Sequence, residues 1–211
     1  AGGPLFTAPK VRRPTLESWR EEHPNEVQDG LAPRMFRGPL VIARKVPRAV
    51  DQNSGGLAMW ARRDVVYSQS FLGFSAAWHS DPVSLSRYLL VWLNSSVLRH
   101  FLLMCSADWG VERGTLLVDD LRSLPVPRPE SLSAAAREAF NTCADAMIAA
   151  DRVDVARCDQ LVADVFGLSS ADLECVRDTL TMASPSRASA LAAQRSPDLL
   201  QVESFRARVE E

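Results

Sequence analysis

The sequence predicts an α+β fold: a small antiparallel or mixed sheet packed on a helix pair, followed by an α-helical hairpin or bundle. Three observations carry that expectation. Short β-branched runs bounded by turn residues lie between Leu40 and Ser68. Apolar residues with three-to-four spacing run from Leu85 to Cys105. From Ser133 onward the chain is alanine-rich and amphipathic.

Residues 1–33 contain Pro4, Pro9, Pro14, Pro24 and Pro33 among mixed charges, which argues against a continuous helix or central strand and for an extended arm or connector. Leu40-Val41-Ile42-Ala43 follows Gly38-Pro39 as a buried-strand candidate, and Asp51 to Gly56 has strong turn chemistry. Leu57 to Ala61 and Val65 to Ser68 supply two further strand candidates. Asp81 is placed to cap a helix with Pro82 at its first position, its buried face being Leu85, Tyr88, Leu89, Trp92 and Leu93. A pause is expected at Asn94-Ser95-Ser96, after which Val97, Leu98, Phe101, Leu102 and Cys105 keep the same period.

Pro125, Pro127 and Pro129 form a stiff spacer. Beyond it, Ser133 to Ala149 and Val153 to Phe166 read as two helices in an antiparallel hairpin. Gly167 is a natural helix stop, Ser169 with Asp172 an acidic capping box, and Leu173 to Met182 a third helix. The expected division is an arm over 1–33, an α+β domain over 34–129, a helical subdomain over 130–183 and a flexible tail over 184–211.

With 211 residues and 46% hydrophobic content, the chain can bury one substantial core, or one core plus a helical appendage. No apolar run reaches the length of a membrane helix, so no membrane partner is expected. Ala1-Gly2-Gly3-Pro4 offers neither an initiator Met nor a signal peptide, which suggests a fragment or processed chain. Cys105, Cys143, Cys158 and Cys175 stand too far apart for a metal site and are expected to be reduced core thiols of a cytoplasmic protein.

The formal net charge of -2 is unevenly divided. Arg34, Arg37, Arg44, Lys45, Arg48, Arg62 and Arg63 oppose only Asp51 and Asp64 between Pro33 and Val65, whereas Glu130 to Thr181 carries four arginines against ten carboxylates. Only the first of these segments is suited to a polyanion. Its arginines can neutralise phosphates, and Gln52 and Asn53 carry amides able to pair with an adenine edge. The competing reading is a solvated strand end at Arg44, Lys45 and Arg48 followed by an ordinary hairpin turn.

Between Met35 and Pro127 several signals stand in fixed order: Phe36 to Lys45, Leu93-Asn94-Ser95-Ser96, Asp108-Trp109-Gly110-Val111-Glu112-Arg113 and Leu124-Pro125-Val126-Pro127. This order resembles the C-terminal, target-recognising half of adenine-specific N6 DNA methyltransferases of the restriction-modification type, of which the TaqI-like enzymes are the simplest. The resemblance covers roughly Met35 to Leu180. It implies a reader of double-stranded DNA that works beside a methyltransferase catalytic domain or subunit, with S-adenosylmethionine bound in that other part.

The catalytic signatures of the family are absent from this sequence: no two glycines stand as Gly-x-Gly, and none of Asn25, Asn53, Asn94 or Asn141 precedes a proline. The chain alone is therefore not expected to methylate DNA, and no cofactor is assigned to it. The DNA-binding candidates are Arg34, Arg37, Arg44, Lys45, Arg48, Gln52, Asn53, Arg62, Arg63, Trp109 and Arg113. Trp109 can stack on a base while Arg113 meets phosphate, or it can pack against the helix pair with Glu112 and Arg113 as a structural pair; packing is the stronger reading. His79 and His100 lack a catalytic constellation and read as structural, and Asp119-Asp120 reads as a helix N-terminal cap. A different function class, a protein-interaction or scaffold domain of a DNA-modification or phage-defence complex, would use the acidic helices from Ser133 to Met182.

Overall fold

The computed structural model describes residues 33–46, 56–106 and 115–188, with side chains described over 35–46, 56–106 and 115–181. A 3-10 turn at Pro33–Phe36 leads into β1 (Leu40–Arg44), β2 (Ala58–Ala61) and β3 (Phe71–Ser75). Helices α1 (Pro82–Leu93), α2 (Ser96–Cys105) and α3 (Val118–Arg122) come next. After a second 3-10 turn at Pro129–Ser131 come α4 (Ala134–Ala150), α5 (Val155–Phe166) and α6 (Ser170–Ala188). The fold is α+β, with a small antiparallel sheet.

β1 is the central strand, antiparallel to both neighbours in the order β2-β1-β3. Leu40, Val41, Ile42 and Ala43 are each fully buried because both faces of the strand are covered. Alternation then divides the run: Val41 and Ala43 join the main core with Leu90, Val91 and Trp92, whereas Leu40 and Ile42 meet Val65 and Phe71 on the other face. The expected third strand at Val65 to Ser68 is displaced to Phe71–Ser75. Val65 to Tyr67 instead covers the second face, with Val65 N–H donating to the Phe36 carbonyl at 3.0 Å and the Tyr67 ring 5.0 Å from that of Phe36. Tyr67 lies so close to Gly73 that a Cβ there would come within 2.1 Å of the phenol oxygen. β-branched propensity marked the segment as extended, but packing decided that it would cover the sheet rather than join it.

α1 begins as expected, Asp81 Oδ1 accepting the Ser84 N–H at 3.1 Å with Pro82 in the first turn. Its buried surface is wider than the expected stripe. Leu90 and Val91 are fully buried while Leu85 and Leu89 are half-buried, because the helix is wedged between the sheet and α4. Tyr88 adds a tether, its hydroxyl donating to the Pro127 carbonyl at 2.8 Å, and burial pushes its pKa up to about 12. The chain then bends by 64° between α1 and α2, with Ser95 Oγ accepting the Leu98 N–H at 3.2 Å. No single helix among the described residues is long and apolar enough to cross a membrane.

The helical part starts at side-chain caps. Ser133 Oγ accepts the Ala136 N–H at 3.1 Å, and Ser169 and Asp172 cap one another's backbone N–H at the start of α6. Gly167, at φ 66°, closes α5 in the left-handed region that glycine adopts freely. Phe140, Cys143 and Met147 of α4 and Cys158 and Val162 of α5 enter the same apolar cluster as Val41 and Trp92, so one core runs from the sheet to the helices. Cys143 and Cys158 are the core thiols; Cys105 and Cys175 are exposed, contrary to expectation, because their helices turn those positions away from the packed face.

Asp159 on α5 is buried at the start of α2, where Oδ1 accepts the Ser96 N–H at 2.5 Å and Arg177 Nε lies 4.0 Å from Oδ2. Burial raises its carboxyl pKa above the ordinary 3.8, opposed by the Ser96 hydrogen bonds and by Arg99 and Arg177. An acid with a raised native pKa is protonated longer in the folded chain than in the unfolded one. Stability from this group is therefore greatest below about pH 4 and declines as pH rises through the folded pKa. Asp159→Asn keeps an oxygen acceptor but has no proton to lose. Urea denaturation at pH 4 and pH 7 is expected to show the variant gaining stability relative to wild type at the higher pH; an unchanged difference would contradict this account.

Candidate nucleic-acid interface

The register of the sheet decides which cations meet. Leu40 pairs with Ala61 of β2 and with Ser75 of β3, so the approach to β1 and the exits of β2 and β3 lie at one end of the sheet. Three hydrogen bonds fasten that end: Gly38 N–H to Asp64 Oδ1 at 3.0 Å, Ser75 Oγ to the Arg37 carbonyl at 2.8 Å, and Ala76 N–H to the Pro39 carbonyl at 3.0 Å. Gly38 is needed there because a Cβ would lie 2.5 Å from the Arg62 carbonyl oxygen. The result brings Arg37, Arg62 and Arg63, all exposed, to one end of the sheet, where the Asp64 carboxylate is taken up by the Gly38 N–H. Among the described residues none of the three has a carboxylate within salt-bridge distance.

Trp78 stands at the same end and is 78% exposed. With Met35, Arg37, Gly73, Ser75 and Ala77 it lines a cleft of about 300 Å³. The indole meets the His79 imidazole at 86° with ring centroids 5.5 Å apart. His79 is pinned in turn, Nε2 lying 2.8 Å from Glu130 Oε1 and Nδ1 3.1 Å from the Asp81 backbone N. Nδ1 also lies 3.1 Å from the Asp81 carbonyl oxygen, so both ring nitrogens are engaged. The structural role expected for His79 is thus to hold the turn that carries Trp78.

Trp78 is not among the DNA-binding candidates drawn from the sequence. A signal was available in Ala76-Ala77-Trp78-His79-Ser80, where the tryptophan belongs to no apolar period and has only small or polar neighbours.

Arg44 and Lys45 lie at the opposite end of β1. Arg44 is 8% exposed with its guanidinium 5.5 Å from the centre of the Phe71 ring, so it is placed to pack rather than to meet a phosphate. Strand alternation, invisible in a list of charges, turned it inward. Lys45 is half-buried, with its N–H donating to the Ser70 carbonyl at 3.0 Å and its carbonyl accepting from Leu116 N–H at 2.6 Å. Its side chain borders a cavity of about 1160 Å³ lined largely by apolar groups, among them Phe36, Phe71, Phe74, Trp92 and Leu121. The basic segment therefore splits between the two ends of the sheet. Arg48, Gln52, Asn53, Trp109 and Arg113 lie outside the described residues, as does the side chain of Arg34.

Asp119 and Asp120 sit in the first turn of α3, favourable for carboxylates, but neither caps it; Leu117 holds that position without a side-chain hydrogen bond. Asp119 pairs with Arg122 at 3.0 Å, and Asp120 accepts a hydrogen bond from Ser106 Oγ.

Comparisons of the chain with protein-family models, with curated proteins and with solved structures return no match.

Proposed function

We propose that this chain is a DNA-binding target-recognition module of an adenine-specific DNA methyltransferase, with the S-adenosylmethionine site and the chemistry in a separate catalytic domain or subunit. The observation that carries the DNA-binding part is the gathering of exposed Arg37, Arg62 and Arg63, none paired with a carboxylate among the described residues, at one fastened end of the sheet. The planar guanidinium fork matches phosphate oxygens in geometry as well as charge. The methyltransferase part rests on the resemblance in sequence. Cytoplasmic location and a role in restriction-modification or another phage defence belong to the same reading.

The direct test is fluorescence anisotropy of the full chain with a labelled duplex at rising salt. Three neutralised phosphates predict a slope of log affinity against log salt of about -3, or a loss of roughly 40-fold between about 50 and 200 mM. Affinity indifferent to salt over that range would sink the reading. The second reading, a protein-interaction domain, is favoured by the acidic residues between Glu130 and Asp178, all exposed except Asp159. Co-purification of a stable partner together with no DNA binding would select it.

A further inference from the structure

We infer that Trp78 stacks on an unpaired base, so that the end of the sheet bearing Arg37, Arg62 and Arg63 receives DNA at a nucleotide displaced from its helical stack. The inference rests on the DNA-binding reading above and adds which form of DNA the site prefers.

An indole is the largest apolar group a chain can show to water, and here it is 78% exposed beside a core able to bury Trp92 to 4%. It is also held. One contact is made by the His79 ring at 86°, and that ring is fastened to Glu130 and to the backbone of Asp81. A pinned neighbour reduces the orientational freedom the indole must lose on binding, which favours a planar ligand over simple non-specific adhesion.

Arg37 shares the cleft with Trp78, and Ser75, another lining residue, donates a hydrogen bond to the Arg37 carbonyl. Aromatic surface next to an arginine that has no carboxylate within salt-bridge distance among the described residues is complementary to a base and its phosphate. In an intact duplex the faces of the bases are covered by their neighbours and only edges line the grooves. A displaced base exposes a face, and stacking on it tolerates any of the four bases. The indole therefore contributes preference for unstacked DNA rather than for a sequence.

The experiment compares three labelled probes of equal length with the full chain: a paired duplex, the same duplex with one bulged nucleotide, and the single strand. Wild type is expected to bind the bulged and single-stranded probes roughly tenfold more tightly than the paired duplex. Trp78→Ala should abolish that preference and leave the salt slope on the paired duplex unchanged, whereas Trp78→Phe should retain most of it. Equal affinity of wild type for all probes, or an undiminished preference in Trp78→Ala, overturns the inference while DNA binding stands. Absence of salt-dependent binding to every probe fails the underlying reading instead. Loss of partner binding in Trp78→Ala, with the DNA preference intact, would assign the indole to a protein contact and overturn the inference as well.

Discussion

Asn94→Ala is expected to destabilise the fold by about 3–5 kcal/mol, measurable as a fall in the urea midpoint with little change in slope. Asn94 is fully buried at the bend between α1 and α2, and its amide is fully used. Oδ1 accepts the Leu57 and Ala58 N–H groups at 2.8 and 3.0 Å, and Nδ2 donates to the Ala58 and Leu90 carbonyls at 3.0 and 2.9 Å. Ala58 belongs to β2, an edge strand, so the side chain pairs with its N–H and C=O as another strand would. Truncation leaves two buried N–H groups without acceptors, each costing about 1–3 kcal/mol. Asn94→Asp separates this account from simple cavity formation: it preserves volume and both acceptor contacts but points an oxygen at two carbonyls, and should be comparably destabilising. A loss below about 1 kcal/mol in either variant would contradict the argument. Because β2 leads into Arg62 and Arg63, faster hydrogen exchange at Leu57 and Ala58 is expected to accompany weaker DNA binding.

Asn94 also shows where sequence legibility ends. The break at Asn94-Ser95-Ser96 was legible because short polar residues interrupt an apolar period. The tie to β2 crosses 36 residues, so no local pattern contains it. Caps at Asp81 and Ser169 were readable because each is settled within three residues. The third strand was not, because Val65 to Tyr67 and Phe71 to Ser75 have similar propensity and the choice depends on which of them covers Leu40 and Ile42. At the candidate site the sequence supplied the cations but not their grouping. Arg37 and Arg44 are seven positions apart, yet strand direction sends them to opposite ends and alternation buries one of them.

Reversing Arg37, Arg62 and Arg63 together to Glu is expected to weaken duplex binding by at least about a thousandfold near 100 mM salt and to flatten the salt slope by about 3. All three are exposed, so each substitution should leave stability within about 0.5 kcal/mol, and an unchanged thermal midpoint is the control that makes the loss interpretable. Arg44→Glu is the instructive contrast. Arg44 lies over Phe71 and is 8% exposed, so reversal places a carboxylate against an aromatic face and should lower the midpoint by several degrees before DNA is added. Lys45→Glu asks whether the far end of β1 also meets the duplex, since Lys45 is only half-buried and the described residues give it no ion pair. If a single end binds, Lys45→Glu should shift affinity by well under tenfold and leave the salt slope alone. Equal losses from Lys45→Glu and from single reversals at Arg62 or Arg63 would instead mean that the duplex spans the sheet. Loss confined to Lys45→Glu would refute the arginine cluster as the interface.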